Sequence, residues 1–103
     1  MRAIVLREYG DPAASLKLEE LPTPTLKSGQ VLVRMAAAPI HPADIAFVQG
    51  FYGIRRPPPT VPGLEGTGTV VAANAGLYGR WLMGKRVSCS APSDGNGSWA
   101  EMM

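Results

Sequence analysis

Apolar residues recur along this chain in short alternating runs, and most runs are closed by glycine or proline. Residues 3–7 and 16–21 predict a first pair of strands around the turn Gly10-Asp11-Pro12. Because side chains alternate across a strand, Leu16 and Leu18 fall on one face and Lys17 and Glu19 on the other. Pro22 closes the second strand, since it has no N–H to give a ladder. The turn Ser28-Gly29-Gln30 leads into residues 31–35, where Val31, Val33 and Met35 share a side. Ala36, Ala37 and Ala38 follow with side chains small enough to admit another backbone or a flat ligand, although plain packing beside a bulky neighbour accounts for them equally well.

Proline and glycine also frame the one clear helix. Pro39 stops the strand, Pro42 suits a first helical turn, Asp44 lies near the positive N-terminal end and Gly50 can terminate it. Ile45, Val48 and Gln49 fall on one side of a helix too short to persist without packing. Pro57, Pro58, Pro59 and Pro62 lock residues 55–62 into a largely extended loop. Residues 67–73 return to a strand, with Gly66 and Gly68 marking a bulge or a close backbone approach. Gly84-Lys85-Arg86 turns into a strand over 87–91, and Gly95-Asn96-Gly97 into a last one over 98–103. About seven short strands with one or two short helices predict a mainly β fold, a small partly open barrel. Residues 1–103 form one domain.

Composition narrows the function classes. At 46% hydrophobic and 17% charged, the chain is too apolar for disorder. Its longest nearly apolar run, residues 35–40, is far below the roughly 20 residues of a membrane-spanning helix. The N-terminus carries no recognisable secretory or transit signal, so a soluble, cytoplasmic product without membrane partners is expected. A net charge of +2 without a continuous basic stripe argues against nucleic acid. The lone Cys89 excludes an internal disulfide and, with a single histidine, a structural zinc set; it reads as a small buried hydrophobe.

Four residues at element boundaries could carry chemistry: His41, Asp44, Tyr52 and Glu65. His41, just before the helix, suits a ligand, a base or a capping residue. Tyr52 is either a reactive phenol or a half-buried core ring with its hydroxyl at the surface. Glu65 enters an otherwise apolar strand and needs a partner, for which a structural ion pair with Arg34 or Arg86 is preferred over catalysis. Gly63, Gly66 and Gly68 precede a strand, whereas a dinucleotide fingerprint follows one and opens a helix, so that motif is rejected.

Taken in order, Met1-Arg2-Ala3, Pro42-x-Asp44, Gly50-x-Tyr52-Gly53, Pro62-Gly63-x-Glu65-Gly66-x-Gly68-x-Val70, Gly84-x-Arg86-Val87 and Gly97-Ser98-Trp99-Ala100-Glu101 span essentially the whole chain. This pattern resembles the N-terminal GroES-like domain of the medium-chain dehydrogenase/reductase superfamily. In the zinc alcohol dehydrogenase branch a Cys stands at the place of His41 and a His at that of Leu64. A carbon side chain cannot ligate zinc, so the sequence is similar instead to the zinc-free quinone reductases and 2-enoyl thioester reductases. The resemblance implies that Tyr52 is the proton donor to the α-carbon, or orients the substrate carbonyl, while NADPH supplies hydride. It places His41, where zinc-free members usually carry Asn, toward the cofactor, and leaves Asp44 structural.

The expectation is thus an NADPH-dependent oxidoreductase acting on a small-molecule quinone or activated C=C bond, without zinc. No Rossmann domain lies within these 103 residues, so the isolated chain is expected to be inactive. The alternative is a stand-alone binding or interaction module. Apolar surface at residues 36–38 and 99–103 predicts a homodimer in either case.

Overall fold

The computed structural model describes residues 1–53, 56–92 and 95–103. Strands β1 (Arg2–Leu6) and β2 (Leu16–Glu20) pair antiparallel, with Ile4 opposite Leu18 and Leu6 opposite Leu16. The link between them holds a single helical turn, α1 (Pro12–Ser15), in place of a simple reverse turn. Strand β3 (Gln30–Ala37) pairs with β4 (Glu65–Asn74), which pairs with β5 (Arg86–Ser90), so the second sheet runs β3-β4-β5 and is antiparallel throughout. Both sheets are open. The result is the mainly β, partly open domain that the turn spacing predicts.

The segment after Gly97 corrects one expectation. It forms no strand of its own, because it divides its hydrogen bonds between two sheets. Ile4 donates to the Trp99 carbonyl and Glu101 donates to Arg2, while Met35 donates to Glu101 and Val33 exchanges both bonds with Met103. Residues 98–103 thereby stitch β1 to β3 through isolated bridges at Ala100 and Met102. A second correction is helix α3 (Gly76–Leu82), which follows β4 directly. Three helices are therefore found among the described residues, where one or two were expected.

Two apolar clusters hold the frame together. Ala3 and Val5 face Val61, flanked by Leu21, Trp99 and Ala100. On the other face of β1, Leu6 packs on Phe47 and Val48, with Tyr9, Leu16 and Tyr52 around them. Helix α2 (Pro42–Gln49) covers that face only at the Leu6–Leu16 end. Leu18, at the uncovered end, remains 65% exposed although it shares a face with Leu16.

Helix α2 begins and ends where its residue types require. Pro42 occupies the first turn, and Gly50 closes the helix at φ 84°, a left-handed conformation that glycine adopts without strain. The buried stripe is Asp44, Phe47 and Val48, at i, i+3 and i+4. Of the residues expected to share one side, Val48 is buried, Ile45 half-buried and Gln49 exposed. Following it, Leu6 and Thr60 exchange backbone hydrogen bonds, which anchor the proline loop to β1; Arg55 of that loop lies outside the described residues, and the Pro58–Pro59 peptide is cis.

The glycines of β4 serve strand contact. A methyl group on Gly68 would stand 2.2 Å from the Arg34 carbonyl oxygen, and one on Gly66 2.7 Å from that of Ala37. The close-approach reading of both positions is correct.

Large apolar side chains are exposed mainly away from the places expected. Ala36 and Ala37 are indeed exposed, but Trp99, Met102 and Met103 are half-buried. Ile40, Phe51, Leu77, Tyr78 and Trp81 carry the exposed surface instead. Among the described residues no helix is long and apolar enough to cross a membrane.

Candidate active site

The chemistry-bearing residues cluster around the two ends of α2. At its start, Asp44 reaches back one turn and accepts the His41 backbone N–H at 2.7 Å, while its own N–H donates to the His41 carbonyl at 2.9 Å. An acidic residue in this turn also meets the positive end of the helix. Asp44 is 1% exposed, and its second oxygen, Oδ1, has no hydrogen-bond partner among the described residues. What offsets this burial is charge. Arg56, itself buried, attracts Asp44 electrostatically, stacks its guanidinium 5.0 Å from the Phe47 ring and donates to the Gly95 carbonyl at 2.7 Å. Burial lowers the Arg56 pKa from its ordinary value, and the Asp44 charge works in the opposite direction.

With its backbone so pinned, the His41 ring meets Glu65, the first residue of β4, at 2.9 Å between Nε2 and Oε1. This overturns the expected partner. Arg34 and Arg86 both stand opposite Thr69, four residues further along β4, which is about 13 Å of strand from Glu65. Glu65 is also exposed rather than buried, with 54% of its side-chain surface open. Sequence spacing alone could not reveal the pair, because 24 residues and a proline loop separate its members.

Beside this pair lies an open groove of about 420 Å³, lined by Ala37, Ala38, Pro39, Glu65, Gly66, Thr67 and Ser88. Its walls are small, so a flat group can approach the backbone closely. Thr67 spends its hydroxyl on the Val87 carbonyl at 2.8 Å. A second open groove, about 320 Å³, continues along Ala36, Ala37 and Ala38 toward Trp99, whose indole N–H donates to the Pro39 carbonyl at 3.3 Å. A third, about 430 Å³, lies between Leu26, Val31 and Met103 and holds Cys89. Burial raises the Cys89 thiol pKa, and its Sγ lies 3.6 Å from the Gly66 carbonyl. None of these three grooves is lined by Tyr52.

Tyr52 sits at the opposite end of α2, two residues beyond the Gly50 cap, and its ring is half-buried against Leu6, Phe47 and Val48. An eight-residue helix is about 12 Å long, so Tyr52 and His41 are held apart at its two ends and not brought into contact. Among the described residues, no group of three or more His, Cys, Asp and Glu side chains could hold a metal ion.

Residues 27–103 match the alcohol dehydrogenase GroES-like domain. The chain belongs to that family, within the medium-chain dehydrogenase/reductase superfamily. It is 42% identical over 94 residues to the mitochondrial enoyl-[acyl-carrier-protein] reductase of Arabidopsis thaliana, a match covering 91% of the chain and 25% of that protein. It superposes on the quinone oxidoreductase of Thermus thermophilus, a protein also solved with NADPH, with a TM-score of 0.77 and 30% identity, over 100% of this chain and 29% of the other. The human synaptic vesicle membrane protein VAT-1 homolog-like protein gives a TM-score of 0.88 at 29% identity, covering 100% of this chain and 32% of the other. This GroES-like domain thus spans about a quarter to a third of the length of such relatives.

Proposed function

We propose that this GroES-like domain is the substrate-side part of an NADPH-dependent oxidoreductase that reduces a quinone or an activated C=C bond such as that of an enoyl thioester. The observation that carries the reading is the 42% identity across nearly the whole chain to an enoyl-[acyl-carrier-protein] reductase, which includes the α2 segment with His41 and Tyr52 at its ends.

The residues fit the nicotinamide end of NADPH better than its phosphates. Ala37, Ala38 and Gly66 leave room for a flat ring beside His41, whereas the Glu65 carboxylate disfavours an anion there. NADPH, when bound, supplies a hydride. The chain's own contribution is to orient the substrate and to deliver a proton from the Tyr52 hydroxyl to the α-carbon, which leaves a phenolate to be reprotonated from solvent. Clustering with Leu6, Phe47 and Val48 fixes the Tyr52 ring and limits the paths its hydroxyl can take. Zinc has no part in this reading, because Leu64 offers no donor atom at the place where the zinc branch uses one.

The 103-residue chain mixed with NADPH and a crotonyl thioester should show no turnover above background. Joined to the cofactor-binding domain of a relative such as the Thermus thermophilus enzyme, it should oxidise NADPH. Tyr52→Phe in that protein should lower kcat by about 100-fold with little change in the KM for NADPH. Full activity in Tyr52→Phe would remove Tyr52 from the chemistry. The exposed Leu77, Tyr78 and Trp81 of α3 support a second reading, a binding module that associates through this surface. For either reading a homodimer is expected, and a monomer in sedimentation equilibrium at high concentration would refute it.

A further inference from the structure

A close ion-pairing contact in the candidate site that no catalytic role yet uses is His41 with Glu65. A carboxylate has no proton to give and only accepts hydrogen bonds. At 2.9 Å the proton between the two groups therefore belongs to Nε2 of His41, and in the neutral ring the acceptor is Nδ1, the nitrogen available to the Asp44 backbone N–H in the capping box at the start of α2. Both ends of the contact are carried by rigid elements. The His41 backbone is held by Asp44 and followed by Pro42 at the start of α2, while Glu65 is held in register opposite Ser90 by the β4–β5 ladder. Both side chains are substantially exposed, at 41% and 54%, so the pair adds little to stability. What it does supply is orientation.

We propose that Glu65 is a positioning residue: by capturing the Nε2–H of His41 it fixes the tautomer of the imidazole and holds the ring at the edge of the groove that Glu65 itself lines. A role for His41 toward a cofactor rests on the reductase reading, whereas the tautomer does not.

His41 is the only histidine in the chain, so its ring nitrogens are read without ambiguity in the 103-residue protein. In 15N spectra at about pH 8.5, where an imidazole is neutral, the two nitrogens should be well separated, with the proton on Nε2. Glu65→Ala should move both resonances toward the averaged position of a free imidazole. Glu65→Gln, whose amide oxygen still accepts, should keep the wild-type spectrum, and backbone amide spectra check that both variants fold. Wild-type nitrogens already averaged, a Glu65→Ala spectrum identical to wild type, or loss of the pattern in Glu65→Gln would each overturn the positioning role.

This reading involves no turnover, so it stands or falls separately from the Tyr52→Phe experiment that tests the reductase reading.

Discussion

Replacing Gly68 by alanine should be among the most destabilising single-methyl changes available in this domain. The added Cβ would lie 2.2 Å from the Arg34 carbonyl oxygen, 2.8 Å from its carbonyl carbon and 2.8 Å from a methyl of Val33. Ordinary van der Waals contact to a carbon begins near 3.4 Å, so β3 and β4 must separate locally. Two of the three obstructing atoms are backbone and cannot turn aside as a side chain could. Overpacking of this kind costs about 1–3 kcal/mol, and the backbone obstruction puts Gly68→Ala at the upper end, about 3 kcal/mol. For a domain of this size that is a fall in Tm of roughly 15 °C, and a urea midpoint lower by about 1–2 M at an unchanged m-value. Gly29→Ala is the control, because an added Cβ there meets nothing within 4 Å and bears only the strain of φ 82°. Its cost should be about 1–2 kcal/mol. If Gly68→Ala unfolds within about 0.5 kcal/mol of wild type, the close approach of the strands does not constrain this position and the structural account of the β4 glycines fails.

The remaining predictions concern a buried guanidinium and a half-buried thiol. Arg56→Leu should lower stability by about 1–3 kcal/mol, since it removes a charged donor from the Gly95 carbonyl and the cation over Phe47 and leaves the buried Asp44 without its attraction; urea unfolding equal to wild type would refute it. Cys89 carries a pKa raised by burial, so the folded state holds its proton longer than the unfolded one. The associated stability is whole below the unfolded thiol pKa and is lost as pH rises toward the folded value. Cys89→Ala should accordingly flatten the alkaline decline of the urea midpoint above about pH 8.5, and iodoacetamide should modify the native thiol more slowly than the unfolded one.

How much of this was legible in the sequence depends on the range over which each feature is determined. Helix α2 was readable at both ends because Pro42, Asp44 and Gly50 act within one turn of themselves. The β4 glycines were readable because a strand interior tolerates glycine only with a reason. Helix α3 was not, since Gly76-Leu77-Tyr78-Gly79 carries two poor helix formers and sends Leu77, Tyr78 and Trp81 outward, which removes the amphipathic pattern. Gly79 is buried where the helix folds back on the end of β4, and an added Cβ would meet Ala75 at 2.9 Å and Ala73 at 3.2 Å. The segment 98–103 failed for a different reason: it alternates partners between two sheets, which composition cannot express. In the candidate site, Glu65 was expected to need a partner and has one, but His41 in place of an arginine. The arginines were chosen for charge, and register along β4 put both of them near Thr69 instead.

Helix α2 is best understood as a spacer, and this view makes a last prediction that separates structure from chemistry. One face of the helix, Phe47 and Val48, is glued to Leu6, while its ends present His41 and Tyr52 about 12 Å apart. Phe47 is 2% exposed, meets Tyr9 edge-on with ring centroids 6.4 Å apart and lies under the Arg56 guanidinium. Phe47→Ala should therefore cost about 3–5 kcal/mol and disturb both ends together: the His41 nitrogens should lose their fixed tautomer, and in the protein joined to a cofactor-binding domain kcat should fall. Tyr52→Phe, which keeps the ring, should lower kcat while leaving the His41 spectrum as in wild type. Glu65→Ala should alter the His41 spectrum while leaving the urea midpoint nearly unchanged, because the pair it breaks is exposed. If Phe47→Ala left the His41 spectrum intact, the helix would not be what holds the imidazole, and the positioning of His41 would have to be credited to Glu65 and the β4 strand alone.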